Sequence, residues 1–524
     1  MHLKKTVAIA TSATVVLGLA ACSSDGASEG ANYVTANGSE PQNSLIPADT
    51  NETGGGRIVE LLYSGLVHYD SDGKPHNDQA ESIDLEGEKT YKIKLKEGLE
   101  FSDGSPVTAQ DYVDTWNAAV ANSMMNAFFF EPIKGYSEGV KELEGLKVVD
   151  DRTFTVELEQ PESDFPTRLG YTAFFVMPSK QLEDLDSAGE NPVGSGPYVL
   201  KEWNHQESAT LVPNEKYSGE NAAKNDGLKF VFYSSQDAAY ADLLAGNLDV
   251  LDAVPDSAFS TFEDELGDRA VNQPAAVFQS ITIPEKLEHF SGEEGKLRRQ
   301  AISHAIDREE VTKTIFEGTR TPAKDFTSPV IDGYKDDLEN SDVLKFDPDK
   351  AKELWKKADS ISKFTGEFTI AYNSDGGHQA WADAVSNQIR NNLGIEASGN
   401  PYPDFKSLRD DVKKRTIKGA FRSGWQADYP AIGNFLVPLY VTNASSNDGD
   451  YSNPEFDSKV KQAANKKDVE EGIKEYQSAE EILFRDLPAI PLWYSNVTGG
   501  SSDKVSNVTF SWNSLPEYAA IEKK

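Results

Sequence analysis

Cysteine is almost absent: Cys22 is the only one in 524 residues, and it lies in the N-terminal segment. The body of the chain therefore has no internal disulfide and no thiolate metal site. Histidine is scarce too. The seven histidines are scattered, and none is paired at the three- or four-residue spacing that builds a zinc-binding helix face. Positive charge is in deficit, with 51 Lys and Arg against 86 Asp and Glu and a net charge of -35. A phosphate backbone or an anionic surface would be repelled, so nucleic acid is excluded as an expected partner. Catalytic signatures are also missing: there is no G-x-S-x-G elbow, no H-E-x-x-H, no P-loop and no G-x-G-x-x-G after a strand. Carboxylates are too abundant to single out a dyad. These absences leave binding as the expected task, with no enzyme activity, cofactor or metal.

What is present begins with Lys4 and Lys5, a modestly apolar run from Thr6 to Leu19, and the small residues Ala20 and Ala21. This is the layout of a secretory signal. Leu19-Ala20-Ala21-Cys22 resembles the bacterial lipobox, which implies removal of residues 1–21 and acylation of Cys22. Residues 22–32, rich in Ser, Gly and Asp, suit a flexible tether. The expected location is the extracytoplasmic face of the membrane, lipid-anchored. Length alone predicts two or three domains, and 38% hydrophobic with 10% aromatic residues predicts a globular body.

Alternating elements predict an α/β fold. Tyr91 to Lys96 and Phe154 to Leu158 alternate as half-buried strands, and Thr108 with Asp111 makes a capping-box start for a helix carrying Val113, Trp116 and Val120. Three adjacent aromatics, Phe128 to Phe130, cannot all face one side. Asp347-Pro348 opens another helix, and Phe368, Ile370 and Tyr372 form a strand leading to His378 and a helix that Gly394 ends. His378 thus falls at a strand-to-helix switch, where open α/β sheets bind ligands.

The stretch Gly419 to Tyr440 concentrates one cation, one anion and five aromatic residues in a mostly apolar segment. It reads as a cleft wall: a short strand at Ala420-Phe421, close backbone approach at Gly424, and Pro430 and Gly433 stopping any regular element. Arg422 and Asp428 then sit on an irregular turn. A charge beside Phe421, Trp425 and Tyr429 needs a partner, either a ligand or a neighbouring side chain.

Several segments together resemble the bacterial extracellular solute-binding proteins of the oligopeptide and dipeptide transport family (family 5). They are Phe101-Ser-Asp-Gly-Ser-Pro-Val-Thr-Ala109, Pro192-Val-Gly-Ser-Gly-Pro-Tyr198, Leu244-Ala-Gly-Asn-Leu-Asp-Val250, Arg299-Gln-Ala-Ile-Ser-His-Ala-Ile-Asp-Arg308 and Asp347-Pro-Asp-Lys-Ala-Lys-Glu-Leu354. The resemblance implies a type II periplasmic-binding-protein-like fold, with two α/β lobes, a hinge and an inserted third domain. It places lobe I at 33–65 with 195–280 and 498–524, domain II at 66–194 and lobe II at 281–497. It further implies that Asp428 takes a peptide ammonium, Arg422 a carboxylate, and Trp425 side chains. Backbone at Gly424 to Gln426 pairs with the peptide, and Glu40, Pro41 and Gln42 form the opposing edge. His378 matches a family position near longer peptides' C-termini, Phe130 and Tyr494 match cleft aromatics, and Arg415 a second carboxylate partner. The implied partners are a short peptide, an ABC permease and the membrane, with a monomeric chain. A nickel chelate, an oligosaccharide or an opine is the alternative solute; a peptide-sensing lipoprotein or an exported hydrolase is the alternative class.

Overall fold

β1 (Val34–Gly38) leads through a short turn to α1 (Thr53–Leu62), whose N-terminus is capped by the Glu52 carboxylate accepting from Gly55 N. The computed structural model describes residues 32–524, so the signal segment and Cys22 lie outside the described residues. After α1 the chain builds a separate four-stranded antiparallel sheet from β2 (Ala80–Glu86), β3 (Thr90–Leu95), β4 (Leu146–Asp150) and β5 (Thr153–Glu157), in the order β2-β3-β5-β4. α2 (Ala109–Ala121) covers it. Thr108 and Asp111 cap α2 reciprocally, as their spacing predicts. Trp116 on α2 is fully buried among Tyr112, Phe130, Phe154 and Phe174.

The chain returns to the main sheet through β6 (Tyr198–Asn204), β7 (Ser208–Pro213), β8 (Leu228–Phe232) and β9 (Val250–Leu251). The long β10 (Ala270–Thr282) follows, then α3 (Gly292–His304) and α4 (Arg308–Thr314). β11 (Glu367–Asn373), α5 (Gln379–Leu393), β12 (Glu396–Tyr402), α6 (Phe405–Lys413) and β13 (Ala420–Gln426) complete a second α/β run. α7 (Ile432–Tyr440), α8 (Val469–Asp486) and β14 (Ala489–Ser501) close it. The main sheet reads β12-β11-β13-β10-β14-β9-β1-β8-β7-β6.

Two long strands, β10 and β14, run antiparallel across the middle of this order and join its two halves. Each half has its own core. Val34, Ile58 and Phe230 belong to one, which continues into the four-stranded sheet; Ile302, Ile370, Trp381 and Trp493 belong to the other. The α/β architecture of two lobes with an added unit is thus the one the sequence predicts.

The Gly-rich crossing at Pro192 to Tyr198 has a packing cause. A Cβ on Gly194 would sit 1.8 Å from the Leu62 carbonyl oxygen, and one on Gly196 2.6 Å from Leu61 O, so the loop lies directly on the end of α1. Gly194→Ala is expected to destabilise the chain by about 1 to 3 kcal/mol through forced backbone displacement; the shift in the urea unfolding midpoint measures it.

The stretch from Gly419 departs from expectation. β13 continues to Gln426 instead of stopping at Phe421, and α7 starts two residues after Pro430 with Gly433 and Pro438 inside it. Gly433 is there for contact: a Cβ would meet Asp164 Oδ2 at 2.5 Å and the Tyr476 hydroxyl at 3.0 Å. Tertiary packing outweighs the helix-breaking tendency of both residues.

Candidate ligand-binding cleft

β13 is paired on one edge only for most of its length. Phe421 to Gln426 face Thr282 to Val277 of β10, whereas on the other edge β11 reaches Ala420 and Phe421 alone among the described residues. Backbone from Arg422 to Gln426 is therefore an open edge at which an extended chain can add as a strand. Gly424 and Gln426 are exposed there. The strand is held from behind, where Phe421 packs with Leu408, Val412 and Ile417, and the Ser423 hydroxyl meets Ser280 and Thr282 at 2.8 and 2.7 Å.

Asp428 stands at the end of this edge, half-buried. Asn434, on the first turn of α7, organises it: its Oδ1 accepts from Asp428 N at 3.0 Å and from Trp425 Nε1 at 3.2 Å, while its Nδ2 donates to Asp428 Oδ2 at 3.0 Å. Burial raises the Asp428 carboxyl above its usual range, against the Asn434 hydrogen bond and the Arg168 charge, which lower it. A second charge nearby is what such a carboxylate lacks. Arg168 is largely engaged elsewhere, ion-paired with Glu162 and stacked over Tyr429 at 5.1 Å.

Arg422 and Asp428 have separate partners. Arg422 Nε donates to Asn373 Oδ1 at 2.9 Å, and its guanidinium lies over the Phe405 ring at 5.0 Å. Beside it opens a cavity of about 220 Å³ whose walls include Phe405, Arg409, Arg422, Gly424, Trp425 and Tyr440. Arg409 is the second arginine here, paired with Asp448 at 2.5 Å. Arg415, expected in that role, instead binds Asp450 at 2.6 Å and Asn447 O at 3.1 Å, at a left-handed φ of 57° that ends α6.

Two further expectations are corrected. Phe130 is 0% exposed, locked between Trp116 and Phe174; the tight turn Ala127–Phe130 points Phe128 outward instead, at 52% exposure. Tyr494 is also 0% exposed, its hydroxyl donating to Asp325 O at 2.9 Å and accepting from Asp325 N at 3.0 Å. Neither ring lines a cleft. His378 precedes α5, and its Nδ1 accepts from Trp381 Nε1 at 3.1 Å. Glu40 follows β1 in the other half of the sheet. Its carboxylate is taken by His205 at 2.8 Å and Gln206 N at 2.7 Å, while Pro41 is buried and Gln42 exposed. Asn434, Arg168 and Arg409 were not among the residues expected from sequence; only Asn434, six residues after Asp428, lies within the stretch that drew attention.

A model of the bacterial extracellular solute-binding proteins, family 5 Middle, matches residues 74–447. The chain belongs to family 5. It is 27% identical over 465 residues to the dipeptide-binding protein DppE of Bacillus subtilis, covering 85% of this chain and 84% of that protein. It is 28% identical over 475 residues to the probable deoxycholate-binding periplasmic protein YgiS of Escherichia coli, covering 87% of each. Among solved structures, the unliganded open form of the murein tripeptide binding protein MppA superposes with a TM-score of 0.83 at 23% identity, over 94% of this chain and 97% of that one. Family 5 consists of extracellular solute-binding proteins, not enzymes. Among the described residues no helix is long and apolar enough to cross a membrane.

Proposed function

We propose that this family 5 protein captures short peptides between lobe I (33–65, 195–280, 498–524) and lobe II (281–497), with domain II (66–194) beside them, and delivers them to an ABC permease. Acylated Cys22 holds the monomeric chain at the extracytoplasmic face. The observation that carries this reading is the unpaired edge of β13 ending on the half-buried Asp428. A peptide main chain adds to that edge whatever its side chains, its ammonium meets Asp428, and its carboxylate meets Arg422 when length allows. Trp425 and the adjoining cavity take a side chain, Gln42 and the Glu40-Pro41 backbone close from lobe I, and His378 serves longer ligands. An open strand edge offers donors and acceptors at the spacing of a peptide main chain, so the peptide is favoured.

Closure follows from the two crossing strands. The β10–β14 register shifts between Pro274 and Phe278, and bulged strands bend more readily than regular ones. Mass spectrometry of ligand released from natively purified protein identifies the solute without a prior choice. Calorimetry with trialanine N-methylated at each amide in turn tests the strand pairing: methylation of the amide facing β13 is expected to weaken binding about tenfold, as a lost buried hydrogen bond does. Equal affinity for every analogue would sink the edge-pairing mechanism.

A further inference from the structure

A second cavity, about 110 Å³, lies where α1 and the C-terminal segment 511–519 meet residues 63–69 and Gly170. Part of its wall is aromatic: Tyr69 and Trp512 meet edge to face at 5.4 Å, and Tyr518 lines another side. Glu60 and Glu517 both line it. The Glu60 carboxylate accepts a long hydrogen bond, 3.4 Å from Asn513 Nδ2. Burial, and then the Glu517 charge, push the Glu60 carboxyl up to about 7, in spite of Arg57 on the same helix. That guanidinium is taken by Asp252 at 2.7 Å and Asn37 O at 2.9 Å. His68 also lines the cavity, and its Nδ1 is buried with no hydrogen-bond partner among the described residues.

The cavity adjoins the peptide site: a Cβ on Gly73 would meet both Pro430 Cβ at 3.0 Å and Trp512 Cγ at 3.2 Å, so the cavity's tryptophan and the turn two residues after Asp428 press on one backbone position. Carboxylates set against Tyr and Trp faces are the surroundings that stabilise an alkylammonium or guanidinium, through charge pairing and cation–π attraction together. The volume is comparable to that of a four-carbon chain with its charged end.

We propose that this cavity binds the cationic group of a basic residue in the ligand, with Glu60 as its carboxylate partner and Tyr69 and Trp512 as its walls. The inference rests on the peptide reading and specifies which peptides are preferred. Calorimetry on the full chain with trialanine, Lys-Ala-Ala, Ala-Lys-Ala, Ala-Ala-Lys and butylammonium alone tests it. One lysine position is expected to bind at least tenfold tighter than trialanine, and Glu60→Gln to close that gap. Equal affinity of all four tripeptides for the native chain overturns the inference and leaves the peptide reading intact; no binding by any tripeptide fails the peptide reading itself. Saturable butylammonium binding without any lysine preference also overturns it, because the cavity then serves a free amine. The native-chain comparison decides even where Glu60→Gln does not fold.

Discussion

Asp428→Ala is expected to weaken binding of a free-amine tripeptide by about 2 to 5 kcal/mol, because the variant leaves a buried ammonium without its counter-charge. The size of the effect follows from the surroundings. The carboxylate is partly desolvated and, among the described residues, has Asn434 as its one direct side-chain partner, with Arg168 shared with Glu162. An arriving ammonium therefore meets an acceptor that has lost much of its water and still lacks a cation. N-acetylation of the ligand should reproduce the loss on the native chain, since it removes the charge from the other side. On Asp428→Ala the acetylated and free peptides should bind alike. Calorimetry on the four combinations measures the coupling directly, and additive effects of the two changes would remove Asp428 from the ammonium site.

Helix starts and stops were legible in the sequence because caps are local chemistry. Thr108 with Asp111, Asp347 before Pro348, and Gly394 at a φ of 70° all stand where their spacing puts them. The cleft stretch was legible as a place but not as a shape. Pro430 and Gly433 carry strong local tendencies, yet Asp164 and Tyr476, far away in the chain, determine that a glycine is needed inside α7. Aromatic residues misled for a related reason. Phe128, Phe129 and Phe130 have the same chemistry, and only the turn geometry decides that Phe128 is the exposed one. Tyr494 is polar enough to face a ligand, but the Asp325 backbone satisfies its hydroxyl inside the core. Asn434 lies within the stretch, but the charge that acts on Asp428, Arg168, comes from far earlier in the chain, and no periodicity within residues 419–440 points to it.

Arg308→Ala is expected to cost about 3 to 5 kcal/mol of folding stability while leaving tripeptide affinity of the folded variant within about threefold. Arg308 closes the segment beginning at Arg299 that helped carry the family resemblance, and it is only 4% exposed. Its guanidinium donates to Leu344 O at 2.7 Å, Pro491 O at 2.8 Å, Ser303 Oγ at 2.9 Å and Ser303 O at 3.2 Å. Burial pushes its pKa down to about 9, so it remains charged at neutral pH, stabilised mainly by carbonyl dipoles. One side chain thereby ties the start of α4 to the crossing strand β14 and to the turn at Ser341–Leu344. Truncation leaves those carbonyls buried without donors and opens a cavity, two costs that add. Arg308→Lys keeps the charge but has one donor head in place of a planar fork, so it should recover part of the loss and no more. Urea unfolding measures the stability of each variant, and calorimetry on the folded fraction measures binding. A large fall in peptide affinity at unchanged stability would move Arg308 from the framework beneath β14 to the ligand site.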